Sequence, residues 1–357
     1  MNIRSVMTTA LVFVHVFSSD SEADEMHRRF YNDRITMRAS SVSFPSGSPY
    51  RTALSNVVAR MNNNPSKLQF SQTFNDSSIA FDNEQSEVWF SNDSSLFHGH
   101  TAITYIFWEW WSGDTDEADV IFLVGEDWTT SMNKTSLWAY GGPWRPFENS
   151  VAHEYGHAAG GEDDHEDDEY NIMGEDYTHM HCNGSTCRSY FGEDFFNGLV
   201  RLYDPAGLNR QDVSVTLFKW VGRIGEYSDH GLCKMYDSAG VELPSKTYEG
   251  QRRYDVKRGQ VVRVHFTYEN QGENTKTVNA GYYISTDSTI GTADSRFATQ
   301  SFTLSRGDVY TQSVTVTLPS NLTSGKTYYL GVIVDYDNKL AEVDGANNAA
   351  YHIIKIR

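Results

Sequence analysis

The sequence predicts a multidomain chain: an α+β domain built on a twisted mixed sheet with helices, followed by an all-β antiparallel sandwich. Three observations predict it. At 357 residues the chain exceeds one typical domain. Up to about residue 208, segments with helical spacing alternate with short strand-like runs. From Asp212 onward the helical spacing disappears, and short alternating runs separated by turn residues replace it.

Composition sets the outer bounds. A hydrophobic content of 39% with 13% aromatic residues is enough to build packed cores, so the chain is not disordered by composition. The formal net charge of −18 argues against binding nucleic acid or anionic lipid through bulk electrostatics. It fits a soluble exported protein. The first 23 residues read as an export signal. Arg4 supplies the positive charge, residues 6–17 are mostly apolar, and a polar stretch follows at 18–23. That apolar run is shorter than the roughly 20 residues a membrane span needs, and no second segment is long enough, so no membrane insertion is expected. The plain alternative is a slightly hydrophobic chain terminus. Secretion, or display at the cell surface, is the expected location.

Residues 34–39 alternate and predict a first strand. Leu54, Val57, Val58 and Met61 recur at helical spacing and predict an amphipathic helix over 51–61, stopped by Asn62-Asn63-Asn64-Pro65. Residues 68–74 and 86–91 predict two more strands. The aromatic run at 102–111 reads as core or as a lip packing on the sheet, and less readily as a substrate-facing patch. Residues 118–124 are almost wholly apolar and predict a central strand. Gly141-Gly142-Pro143 marks an irregular loop at 138–146.

The chemistry is concentrated at 149–174. His153-Glu154-x-x-His157 places two imidazoles four apart, on one face of a helix, with a carboxylate beside the first. Two imidazoles leave a catalytic zinc one protein ligand short. Gly160, three residues on, can end the helix and reverse the chain, which lets Asp163 return an oxygen to the ion. His165 is the rival third ligand. Asn171-Ile172-Met173-Gly174 forms a short apolar turn. Alone, His-Glu-x-x-His also arises by chance on a solvated helix, and Met173 alone would be a core filler. The acidic run 162–169 reads as a solvated loop, with calcium as the second reading.

Together these residues resemble the metzincin pattern of zinc peptidases, in which the His-Glu-x-x-His helix is followed by Gly-x-x-ligand and a Met-turn. The chain departs from it by carrying Asp163 where most members carry His; the snapalysin-like metzincins have Asp there. The resemblance implies that His153, His157 and Asp163 hold Zn2+, that Glu154 is the general base, and that Met173 is a hydrophobic floor and not a ligand. It also implies a helix over 191–203 that closes a catalytic domain at 24–208, acting on a protein or peptide substrate. The element order strand, helix, strands, helix agrees with it.

Beyond it, 213–218, 261–268, 281–284, 314–318, 328–334 and 351–354 alternate as strands. Asn270-Gln271-Gly272, Tyr283 to Asp287, Gly291 to Asp294, and Asp335-Tyr336-Asp337 through Asn347-Asn348 resemble the bacterial immunoglobulin-like module CARDB. The resemblance covers about 255–357 within a second domain at 209–357. It implies an immunoglobulin-like sandwich that either binds a cell-surface or extracellular ligand or only spaces the enzyme. Asp335, Asp337, Glu342 and Asp344 are candidate calcium ligands there, polar turns being the commoner reading.

Cys182 and Cys187 bracket a turn-prone Asn-Gly-Ser-Thr and predict a small disulfide loop in an exported chain. Cys233 reads as a buried small residue. His98, His100, His179 and His181 form two closely spaced pairs, read first as ordinary surface or satisfied histidines. Two rival functions remain: an adhesin with a vestigial zinc domain, and a zinc hydrolase of cell-wall amides.

Overall fold

The chain is multidomain and mostly β, with three α-helices among the described residues. The computed structural model describes residues 5–8, 26–109, 112–160, 172–173, 180–217 and 233–357. The chain divides into two compact units. The first comprises Met1–Ser131, Pro143–His179 and Ser189–Gly207; the second comprises Met132–Gly142, Met180–Arg188 and Leu208–Arg357. Two segments within the span predicted for the first domain, 132–142 and 180–188, therefore fold with the second. Of the predicted export segment, only residues 5–8 are described.

The first unit is built on a six-stranded sheet. Its strands are β1 (Ser5–Thr8), β2 (Arg34–Ser40), β3 (Gln69–Asp76), β4 (Glu87–Ser91), β5 (Ala102–Trp108) and β6 (Thr115–Leu123), in the spatial order β1-β5-β6-β4-β2-β3. β2 pairs in parallel with β3 and β4, and β4 with β6, while β5 runs antiparallel to β6 and β1 to β5. Parallel neighbours need a crossover, and helix α1 (Pro49–Met61) supplies it between β2 and β3. Ser48 caps α1 by accepting the Tyr50 amide, and Pro49 occupies the first turn, where its missing N–H costs nothing. Ala53, Leu54, Val57, Val58 and Met61 bury one stripe of it on the sheet. Buried Asn64 then shapes the turn, donating to the Met61 and Leu68 carbonyls and accepting from the Ser66 amide.

The run at 102–111 includes a strand the sequence pattern concealed. β5 is covered on both faces, so its sequence shows no polar alternation. Ile103, Tyr105 and Phe107 pack with Phe97 and Ile121 on the outer face, while Thr104 is buried on the face toward helix α2 (Phe147–Ala158). Short parallel strands β7 (Trp128–Thr129) and β8 (Arg145–Pro146) lead into α2. Helix α3 (Gly192–Tyr203) closes the unit and buries Phe195, Phe196, Leu199 and Tyr203. The Tyr203 hydroxyl accepts from the Phe30 amide and donates to the Ala159 carbonyl just beyond α2, each at 2.8 Å.

The second unit is a sandwich. A disulfide-linked hairpin, β9 (Met180–Asn183) and β10 (Thr186–Ser189), precedes its strands. These are β11 (Val213–Thr216), β12 (Met235–Asp237), β13 (Ser245–Tyr248), β14 (Gln251–Val256), β15 (Val261–Asn270), β16 (Lys276–Ser285), β17 (Ser295–Leu304), β18 (Val309–Thr317), β19 (Thr327–Val334) and β20 (Ala349–Ile356). One sheet sets β15 between β18 on one edge and β11 and β12 on the other; the second runs β13-β14-β20-β19-β16-β17. Alternate residues fill the core between them: Val262, Val264, Phe266 and Tyr268 from β15 meet Val278, Ala280, Tyr282 and Ile284 from β16. The Tyr268 and Tyr282 hydroxyls satisfy each other there at 2.8 Å. His352 donates through Nε2 to the His265 carbonyl at 2.8 Å, and burial pushes its ring down to about 4, so it stays neutral near pH 7. The outer face of the larger sheet is also buried, by Tyr283, Ile290, Tyr329, Tyr351 and Ile353. The disulfide hairpin docks there through Asn183, which exchanges two hydrogen bonds with Ile290, and through the Gly184 amide on Ser288.

Helices α1 and α2 are tied by a buried ion pair. Arg60 meets Glu148 in the first turn of α2, and Glu148 also accepts from Asn56 and from the Ser189 amide and hydroxyl. Replacing Arg60 leaves Glu148 without its countercharge, so Arg60→Met should destabilise the chain by about 3 kcal/mol. A lowered urea midpoint would show this; an unchanged one would mean the neutral donors alone support Glu148.

Candidate metal centre

Helix α2 carries the motif. Its helical repeat sets His153 and His157 side by side, with ring centroids 4.8 Å apart and ring planes nearly perpendicular. His157 is buried and His153 half-buried. Nδ1 of His153 lies 2.7 Å from the carbonyl oxygen of Ile172. A carbonyl only accepts, so Nδ1 carries the proton and Nε2 presents its lone pair. A metal-ligating histidine is held this way, with the second ring nitrogen on a backbone carbonyl. The donor chemistry thus fits a zinc ion at His153, and the 172–173 turn orients the ring.

Glu154 is buried and turned toward β5. The Thr104 hydroxyl lies 2.7 Å from its Oε2 and 3.1 Å from its backbone carbonyl. Thr104 was not among the sequence candidates. Nothing in its local pattern marks it, because its role depends on the register that places β5 beside α2.

Met173 packs directly beneath the helix, fully buried. A Cβ at Gly156 would stand 2.2 Å from the Met173 sulfur and 3.3 Å from Phe195. Gly156 costs α2 about 1 kcal/mol in helix propensity relative to Ala, and this close approach is what the glycine permits. Gly160 ends the helix region in the left-handed conformation, φ +100°, with its carbonyl accepting from the His27 amide at 2.9 Å. A side chain there would collide with the Arg28 carbonyl.

The predicted third ligand Asp163, its rival His165, the acidic run 162–169, Asn171, Gly174 and His179 lie outside the described residues. Among the described residues no third His, Cys, Asp or Glu joins the two imidazoles in a metal-binding group. His98 and His100 are exposed in a turn, His98 at φ +50°. His181 belongs to the second unit, where burial and nearby Arg188 push its ring down to about 4.

The acidic residues of the second unit have defined roles as turn caps. Asp335 accepts the Lys339 and Leu340 amides, and Asp337 pairs with the Lys339 ammonium and the Asn279 amide. Glu342 accepts the Val213 amide and the Asn348 side chain; Asp344 caps the Ala346 amide and pairs with Arg188. These four carboxylates are engaged by the chain's own donors. Cys182 and Cys187 form the disulfide, and Cys233 is buried and unbridged.

Comparison with known proteins bears on the second unit. Residues 249–352 match the CARDB family. Among solved structures, the CARDB domain of a Pyrococcus furiosus protein, crystallised in complex with di-metal ions, aligns at 14% identity over 42% of this chain and 90% of that one, with a TM-score of 0.24. A DUF3823 family protein from Bacteroides uniformis aligns at 12% identity over 42% of this chain and 88% of that one, with a TM-score of 0.17. No curated protein matches the chain. The immunoglobulin-like sandwich of the second unit thus contains a CARDB domain at residues 249–352.

Proposed function

We propose that the first unit is the catalytic domain of a secreted zinc endopeptidase of the metzincin type. The observation that carries this reading is the pair His153 and His157 on one face of α2, with the first ring fixed through Nδ1 on the Ile172 carbonyl. The element order β2, α1, β3 to β6, α2, Met173 turn, α3 also supports it. The Cys182–Cys187 disulfide suits an oxidising, extracytoplasmic location.

His153 and His157 would hold Zn2+ together with Asp163. When bound, the ion supplies Lewis acidity at the scissile carbonyl and lowers the pKa of a ligated water to about 7. Glu154 takes the proton of the attacking water and returns it to the leaving amine. Thr104 restrains the Glu154 carboxylate through Oε2. Met173, seated against Gly156, supports the turn whose Ile172 carbonyl aims His153.

Two tests follow. Glu154→Gln in the zinc-loaded full chain should cut casein hydrolysis by about 10²–10⁴-fold while zinc content stays the same. Equal digestion by variant and wild type would end the peptidase reading, and release of peptidoglycan fragments without casein cleavage would point to a cell-wall amidase. Gly156→Ala should lower zinc affinity and the thermal midpoint together, although alanine favours helix by about 1 kcal/mol. A raised midpoint with unchanged zinc content would show that Met173 does not depend on the glycine.

A further inference from the structure

Beside the disulfide hairpin, the second unit encloses a small cavity that the zinc chemistry does not use. Lys134, from a single 3₁₀ turn at 134–136, lines it together with Tyr140, His181 of β9, Thr216 of β11, Gln251 of β14 and Tyr351 of β20. All of these residues belong to the second unit. The cavity leaves about 20 Å³ for the centre of a water-sized particle, where one water needs roughly 10–15 Å³. Its occupant is therefore one small ion, or a water or two.

Lys134 is only 4% exposed, so its charge is held inside the protein. Its ammonium donates to the Tyr351 hydroxyl and lies over the rings of Tyr140 and Tyr351, 5.1 and 4.7 Å from their centroids. Aromatic faces ease the burial of a cation but supply no anion. None of the described residues that line the cavity is Asp or Glu. Glu249, exposed in the turn between β13 and β14, attracts the ammonium without forming an ion pair with it. An ammonium has three donors, and the Tyr351 hydroxyl takes one of them.

Other donors share the wall. Thr216 is 5% exposed, and its hydroxyl meets no hydrogen-bond partner among the described residues. The Tyr351 hydroxyl accepts from Lys134 and keeps its own proton to donate. Gln251 sets a carboxamide beside that hydroxyl. His181 is neutral near pH 7, and burial raises both tyrosines, Tyr351 to about 12. Lys134 is thus the charged group of the wall, and burial lowers it only to about 8, so it keeps its proton near pH 7. Buried charges are ordinarily paired and buried hydroxyls ordinarily bonded. A water would satisfy the Thr216 hydroxyl and leave the charge unbalanced, whereas a small anion meets both needs.

We propose that this cavity binds one chloride ion, held by the Lys134 ammonium and by the Thr216 and Tyr351 hydroxyls. These groups come from the 132–142 strip, from β11 in one sheet and from β20 in the other. The ion therefore fastens the strip to both layers of the sandwich. An ion that binds the folded chain and not the unfolded one stabilises the fold by mass action.

The test uses the full chain exchanged from chloride into sodium gluconate at fixed ionic strength. Returning chloride should raise the thermal midpoint to a plateau, bromide should do the same, and the chloride NMR line should broaden on binding. Thr216→Val keeps the shape and removes one donor. It should be as stable as the wild type in gluconate, since the hydroxyl has no protein partner to lose, and should bind chloride about tenfold more weakly or worse. Lys134→Met should abolish binding. Affinity should fall as the pH rises above about 8, where Lys134 gives up its proton. A midpoint and an NMR line that ignore chloride would overturn the proposal and leave the cavity to water. So would a Thr216→Val variant that binds chloride as the wild type does, or a bromide-soaked crystal whose anomalous peak lies away from Lys134 Nζ. None of these readouts depends on zinc or on peptidase activity.

Discussion

The ion pair between Arg60 and Glu148 governs where the site can be, because it fixes the first turn of α2 against α1. His153, Glu154, Gly156 and His157 all lie on α2, and Thr104 of β5 and the 172–173 turn meet it there. Once that turn is set, the helical repeat determines where the two imidazoles stand, and the bond from Thr104 sets how Glu154 lies. The other end of the helix is held independently, through the Tyr203 hydroxyl on the Ala159 carbonyl and through Gly160 on the His27 amide. A rigid element with both ends held is the kind of support that metal ligands need. The floor of the site is also specific: the Met173 sulfur occupies the space that any side chain at Gly156 would take.

Much of this was legible in the sequence where the signal is local. α1, β2, β3, β4 and β6 follow from apolar spacing and from the Asn62–Pro65 stop, and the disulfide follows from a turn-prone run between two cysteines. What was hidden depends on partners distant in sequence. β5 carries no alternation because both its faces are covered. β17 is largely polar and sits at the edge of the larger sheet, with few apolar anchors to announce it. Thr104 and Arg60 owe their roles to register and helix contact. The motif at 153–157 was plain, but the residues meant to complete it lie at 161–171, outside the described residues. The CARDB resemblance, by contrast, rested on a long spaced set of turn residues, and the family match spans 249–352.

Two sets of acidic residues find different partners, although the sequence presents them alike. In the second unit Asp335 and Asp337 find donors in their own turn, while Glu342 accepts the Val213 amide and Asp344 pairs with Arg188. In the first, Glu87 and Glu117 accept amides of the loop above them, Asp119 accepts the Glu87 amide, and Glu117 and Asp119 hydrogen-bond each other. Carboxylates that cap turns are ordinary loop chemistry. Carboxyls held in a dry space without counterions keep their protons, and burial raises Asp119 to about 10.

The division into units crosses the chain at 131/132, 142/143, 179/180, 188/189 and 207/208. The unit holding the CARDB domain therefore borrows two strips from within the span that carries the histidine helix, among them the disulfide hairpin seated on Ser288 and Ile290. No single cut frees one unit whole. A chain ending at 208 would keep the hairpin but lose the sheet it rests on, and a chain starting at 209 would uncover Tyr351 and its aromatic neighbours. The two units are woven into one inheritance: neither could be exchanged between proteins as an ordinary cassette without carrying the borrowed strips along.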